Sequence, residues 1–453
     1  MSSLKENKMG TMPVGKLLLT MSLPMMVSML IQALYNIVDS MFVAQINEQA
    51  LTALGLAFPV QNLMIGVATG TGVGMNALLS KSLGEKNREM VDRSASNGVA
   101  LAVLASLAFV LFGIFGTRFF FSVQTDNEQI ITYGTQYLTI VASGAPFLYI
   151  QIIFERLMQA TGKTIYSMYT QGLGAIINII LDPIFIFVFN WDVVGAALAT
   201  VLGQAVSCVV GIILNQKFNP EARFTLKDFR FYGAIVKRIY AVGIPSMIMV
   251  GIGSVMNFML NNMLIKFFSE TAAAVLGAYY KVQSFAFMPL FGMNNGLIPI
   301  IAYNYGAGNR KRILKCIKLA IAFATGIMLV AIAVFWLMPS ILLDLFNASE
   351  QMKIIGIPAF RTISLSYIFA GFCIAMGSVF QAFGKGMLSM LVSICRQLGV
   401  LVPTAYLLAV LFRENINLFW FSFPIAEIMS MMVTALGFVY IHKKIIKHIP
   451  DCK

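Results

Sequence analysis

The chain has 453 residues, 58% hydrophobic and 11% charged, with a mean hydropathy of +0.81 and a formal net charge of +13. Apolar runs of about 20 residues recur along its length, each able to cross a hydrocarbon core of about 30 Å. Lipid-buried backbone must pair internally and these runs lack barrel-like alternation, so they are helices. This composition excludes an ordinary soluble domain arrangement, and the placement of Lys and Arg in alternate loops makes the positive charge topological rather than nucleic-acid-binding.

The polar start MSSLKENKMG leads into the run LLLTMSLPMMVSMLIQALYNIVDSMFVA at 17–44, which is too long for a signal h-region and lacks a small-residue cleavage site. A retained first helix is expected. It carries one carboxylate, Asp39, with Pro24 fifteen residues earlier and Gln32, Tyr35 and Asn36 between. An acid at that depth costs about 2.5–3.5 kcal/mol on insertion scales, which points to a use.

Twelve helices follow from the apolar runs, at 16–43, 50–80, 94–117, 131–155, 165–189, 193–216, 241–266, 271–304, 317–338, 355–380, 387–411 and 418–441. The second and eighth are long and glycine-rich, so tilt or local unwinding is expected there. Glycines 66, 70, 72 and 74 sit inside an apolar helix with no strand before them, so they predict close helix packing, not a dinucleotide fingerprint. No Walker A lysine follows a glycine run, which argues against direct ATP use.

The basic segments are 81–93 (Lys81, Lys86, Arg88, Arg93), the connector 217–240 (Lys217, Arg223, Lys227, Arg230, Lys237, Arg238) and 310–318. The alternate loops carry Asp126 and Glu128, Asp192, Asp344 with Glu350 and Lys353, then Arg413 and Glu414. With an even helix number, both termini are expected on the cytoplasmic side of a prokaryotic cytoplasmic (inner) membrane.

A shift of 222 residues superposes Gly55 on Gly277, Val60-Gln61 on Val282-Gln283, Gly70 on Gly292, Gly74 on Gly296 and Gly84 on Gly306. The same shift carries Asn87-Arg88 onto Asn309-Arg310, Gln159-Ala160 onto Gln381-Ala382, and Gly162-Lys163 onto Gly384-Lys385. An unchanged shift over so long a stretch predicts two homologous six-helix bundles, related by a pseudo-twofold axis along the membrane normal. The expected divisions are an N-lobe at 1–216, a connector at 217–240, a C-lobe at 241–441 and a tail at 442–453. Two lobes flanking a shared cavity are transporter architecture.

Cys208, Cys316, Cys373, Cys395 and Cys452 form no CxxC pair, and His442 and His448 stand alone in the basic tail. Disulfides, a zinc or haem site, and hence a resident cofactor, are unsupported. Amides in apolar helices face a cavity or a neighbouring helix, which makes Gln32, Asn36, Gln61, Asn257 and Gln283 candidates for a substrate cavity. The 29 Met and 36 Phe residues would suit a pocket of adaptable shape, Met64 and Met288 being examples, although packing is the commoner fate of any one of them. Lys281 and Arg396 are read as snorkelling or paired with Glu427, with a C-lobe substrate contact as the alternative. Glu155 beside Arg156 reads as half of an interfacial pair.

Taken together, Pro24 with YNIVDSMFVA at 35–44, QNLMIGVATGTGVG at 61–74, SLGEKNR at 82–88, RLMQATGKT at 156–164, VFQAFGK at 379–385 and NIILDP at 178–183 resemble the multidrug and toxic compound extrusion (MATE) family over the full length. In relatives with a cation site in the N-lobe, the resemblance implies an acid on the first helix, an acid and an Asn on the fifth, and a Thr on the sixth. Here these are Asp39, Asp182 with Asn178, and Thr200. Tyr35 would frame the pocket and Pro24 would be the point at which the first helix bends. Asn178 and Asp182 have i, i+4 spacing and share a helix face. In the second half Leu260 stands opposite Asp39 and Val402 opposite Asp182, so the coupling chemistry is expected in the N-lobe alone.

Two carboxylates in one low-dielectric pocket raise each other's proton affinity, and Asp39, Asn178, Asp182 and Thr200 are also hard oxygen ligands for Na⁺. The implied function is secondary active export of amphipathic, often cationic compounds in antiport with H⁺ or Na⁺, by a bilayer-embedded monomer that is not an enzyme and binds no nucleic acid. A flippase for lipid-linked oligosaccharides is the alternative. It would call for a strongly charged central cavity, toward which only Lys281 and Arg396 contribute. A membrane enzyme would call for an interfacial His, Cys or acid cluster, which is not found.

Overall fold

The computed structural model describes residues 7–222, 230–346 and 348–450. These are almost wholly helical, and among them there is no strand. The first six spans are α1 (Val14–Ala44), α2 (Glu48–Gly84), α3 (Arg88–Phe115), α4 (Glu128–Ser143 and Ala145–Ala160), α5 (Thr164–Pro183 continued by Ile184–Val188) and α6 (Asp192–Phe218). The second six are α7 (Gly233–Phe267), α8 (Glu270–Gly306), α9 (Arg310–Leu337), α10 (Glu350–Ser364 and Tyr367–Ala382), α11 (Gly386–Ile394, Cys395–Leu401 and Val402–Leu411) and α12 (Ser422–Lys444). Ten of these are long and apolar enough to span a membrane as they stand, and α4 and α10 do so as bent pairs with kinks of 46° and 49°. The twelve expected helices are therefore all present.

Their ends differ from the hydropathy reading. The segment 81–93 is not a loop, because α2 runs on to Gly84 and α3 starts at Arg88. The pairs Lys81–Glu85, Arg88–Asp92 and Glu89–Arg93 lace these helix ends at i, i+4 spacing, so charge ends the apolar run without ending the helix. For the same reason α7 begins at Gly233 and takes in Lys237 and Arg238, which shortens the connector. Arg223 and Lys227 lie outside the described residues. Within the expected tail, Ile446 and Ile449 are buried in the core.

Glycine-rich α2 and α8 are continuous helices of 37 residues each, with no unwound stretch. At 1.5 Å per residue each is about 55 Å long, which exceeds a hydrocarbon core and requires tilt or protrusion. Their glycines serve contact instead. A Cβ on Gly70 would fall 2.7 Å from the Gly243 carbonyl oxygen, and one on Gly74 2.0 Å from that of Ile239, both on α7. A Cβ on the repeat-related Gly292 would fall 2.5 Å from Met26 Cα, and one on Gly296 3.0 Å from the Met21–Ser22 backbone, both on α1.

The repeat extends to caps and turns. Asn47 and Ser269 cap α2 and α8, and Asn87 and Asn309 cap α3 and α9, each accepting from a backbone N–H three residues on. Gly162 and Gly384 both adopt positive φ, at 83° and 74°. One core cluster joins the first six helices to the ends of α7, α8, α9, α10, α11 and α12 nearest the chain termini, whereas a second cluster lies wholly within 256–426. The halves thus share a core at the end that carries the basic segments and have separate cores at the other end.

Candidate functional site

Two glycines set the geometry of the site in the first half. Gly174 on α5 and Gly203 on α6 pack backbone to backbone, so that a Cβ on either would lie under 3 Å from the other's carbonyl oxygen. One turn further on, this approach brings the Asn178 amide nitrogen 3.4 Å from Thr200 Oγ1 and 3.5 Å from Asp182 Oδ1. Asn178, Asp182 and Thr200 are all buried. Immediately after Asp182, Pro183 deprives the ladder of an N–H, and α5 widens into a π-helical turn over Ile184–Val188. Such a turn is a frequent companion of functional sites.

Across from this pair, α1 supplies Tyr35 and Asp39 on one face. The Asp39 and Asp182 carboxyl groups are near enough to act electrostatically on each other, and Tyr35 lies on the side of Thr200. The five residues expected to form a cation site are therefore gathered from three helices into one cluster. Asp39 Oδ1, Asp182 Oδ2 and Asn178 Oδ1 are buried and have no hydrogen-bond donor. Buried acceptors left in that state are costly unless a proton or a cation serves them.

One member was not foreseen. Tyr137 on α4 is buried within the electrostatic range of Asp39, Tyr35 and Asp182, and accepts from Gln61 Nε2 at 3.0 Å. Tyr137 was one of several hydroxyls in the stretch EQIITYGTQYLTIVAS, with no spacing to single it out.

The other candidates scatter. Gln32 accepts from Gln171 Nε2 at 3.0 Å and ties α1 to α5. Asn36 is exposed on another face of α1, and Asn257 accepts from Asn261 on its own helix. Met64 is only 1% exposed and belongs to the core rather than a cavity wall, because the α2 face that carries it packs inward. Lys281 is exposed with its ammonium 5.7 Å from the Phe346 ring, and Met288 is half-buried, so neither joins Gln283 in the pocket described below.

Glu155 and Arg156 are both buried and form no ion pair with each other. Glu155 accepts from Gln151 Nε2, while Arg156 donates to Gln159 and, across the two halves, to Asn295 Oδ1 at 2.9 Å. Adjacent residues on a helix point in different directions, which is why neighbours in sequence do not pair here. Arg396 does pair with Glu427, at 3.2 Å. At the places matching Asp39 and Asp182, Leu260 and Val402 are packed into the second core.

A family model described as MatE matches residues 24–184 and again 245–407, one copy in each half. The chain is 27% identical over 400 residues to a multidrug export protein, MepA, of Staphylococcus haemolyticus, which spans 88% of both chains. It is 26% identical over 436 residues to the MepA of Staphylococcus aureus, covering 94% of this chain and 93% of that one. A solved outward-facing conformation of a multidrug resistance MATE transporter superposes with a TM-score of 0.92 at 26% identity, over 98% of this chain and 99% of that one. With the family model matching most of the sequence, and twelve spans that match the MATE architecture, the chain belongs to the MatE family of multi-pass membrane transporters.

Proposed function

We propose that this protein is a secondary active exporter of amphipathic organic compounds, driven by inward movement of H⁺ or Na⁺ through the Asp39–Asp182 cluster. The observation that carries the reading is the set of three buried acceptor oxygens without donors on Asp39, Asp182 and Asn178. Close carboxylates without a counter-cation repel, so a proton or Na⁺ relieves a cost already present. Thr200 Oγ1 adds a further hard oxygen suited to Na⁺. The similarity to multidrug export proteins supports export as the direction and organic compounds as the solutes of this reading.

In this reading the basic segments face the cytoplasm of a prokaryotic cell, and the end at which the two cores separate faces outward. Solute leaves from the cleft between the halves. A cation entering from outside neutralises the cluster and removes the repulsion between α1 and α5. The bundle shifts only so far as the cation binds the two conformations with different affinity. Pro24, where α1 lacks one backbone hydrogen bond, lies beside the Gly292 contact and is the point of least resistance to bending.

The test is dye efflux from proteoliposomes under imposed pH or Na⁺ gradients. Wild type should export with one of the two gradients, whereas Asp39→Asn and Asp182→Asn should reach the membrane in normal amount and lose gradient-driven export. Normal export by either variant would falsify the coupling role.

A further inference from the structure

The second half contains a cavity that the coupling chemistry does not use. It has a volume of about 210 Å³ and lies among α7, α8, α10, α11 and α12. Phe287 and Phe423, both buried, and Tyr280 supply aromatic walls, and Gln283 adds an amide. Into it project Arg396 from α11 and Glu427 from α12, with side chains 21% and 15% exposed.

The ion pair between them is half complete. Arg396 Nη1 donates to Glu427 Oε1 at 3.2 Å. Glu427 Oε2 and the Tyr280 hydroxyl are buried and have no partner. A guanidinium has five N–H donors, and among the described residues this one makes the single hydrogen bond to Glu427. Charges this deep in a membrane protein are costly and mark sites of use. A pair kept only for packing would have its remaining lone pairs and protons served by neighbours.

We propose that this cavity is a binding site for a zwitterionic aromatic solute, one that carries an amine and a carboxylate on or near a ring system. The charge balance selects the class. Arg396 and Glu427 sum to zero, so a purely cationic or purely anionic ligand would leave one buried charge unmatched. A zwitterion keeps the cavity neutral: its ammonium donates to Glu427 Oε2 while its carboxylate accepts from the free N–H groups of Arg396. The aromatic walls take the ring by edge and face contacts. The solute class deepens the export reading and rests on it, but the binding step stands apart from the Asp39 cluster.

The experiment is isothermal titration calorimetry on the purified full-length protein in detergent with three ligands that share one ring: tryptophan (zwitterion), tryptamine (cation) and indole-3-propionate (anion). Tryptophan should bind at least about tenfold more tightly than the other two. Glu427→Gln should move the preference to indole-3-propionate and Arg396→Gln to tryptamine. The double variant Arg396→Glu with Glu427→Arg should restore the preference for tryptophan, which separates charge complementarity from damage to the fold. Equal affinities, no binding of any of the three, or an order unchanged in the single variants would overturn the proposal. Asp39→Asn should keep the wild-type order, so export can fail while this site stands, and the reverse.

Discussion

Gly84 and Gly306 occupy equivalent places in a reciprocal contact between the two halves. A Cβ on Gly84 would lie 2.0 Å from the Tyr303 carbonyl oxygen, and one on Gly306 2.0 Å from that of Lys81. The shift that carries Gly84 to Gly306 also carries Lys81 to Tyr303, so each helix meets the other with the same surface. This is the isologous contact expected of a twofold axis, and no side chain fits within it.

Gly84→Ala and Gly306→Ala should therefore each destabilise the protein by a similar amount, about 1–3 kcal/mol if the helices are pushed apart. Gly55→Ala and Gly277→Ala, where nothing lies within 4 Å, should be neutral. Thermal unfolding of the four variants in detergent checks both statements.

Arg156 reaches over Gly72 to Asn295, with its Cγ 2.7 Å from where a Cβ on that glycine would stand. A double-mutant cycle over Arg156→Ala and Asn295→Ala should show a coupling of about 1–3 kcal/mol, the range for a hydrogen bond to a charged group. If the bond holds the halves together at their closed end, loss of either partner should increase labelling of cysteines placed along that seam by a water-soluble thiol reagent.

At the same end the N-terminal segment is pinned by both halves. Asn7 donates to the Thr161 carbonyl and to Glu221, while Arg312 donates to the carbonyls of Met9 and Met12, and Asn304 to that of Met9. Arg312→Ala should release residues 7–12, seen as faster hydrogen exchange there. Lys311→Ala, at an exposed position one residue away, should leave exchange unchanged.

Lys86 adopts φ 56° at the place where the second half has Gly308, with φ 68°. A lysine in the left-handed region is strained by about 1–2 kcal/mol, which glycine avoids. Lys86→Gly should accordingly raise the unfolding temperature slightly, and Gly308→Lys should lower it.

The sequence by itself determined the twelve spans and the repeat, because hydropathy and an unchanged shift are local properties written along the chain. Asp39 was legible as a carboxylate deep in an apolar run, and the family resemblance pointed to Asn178, Asp182 and Thr200; the Arg396–Glu427 pairing was legible as one option. Helix ends were misjudged at 81–93 and 217–240, since hydropathy reports where lipid stops and not where hydrogen-bonded turns stop. Only the tertiary structure decided that Tyr137 joins the site, that Met64 turns into the core, and that Arg156 bonds Asn295 rather than Glu155. Those outcomes depend on which helices approach closely enough to touch. That approach is set by glycine contacts such as Gly174 with Gly203 and Gly84 with Gly306, whose partners lie tens to hundreds of residues away in the chain.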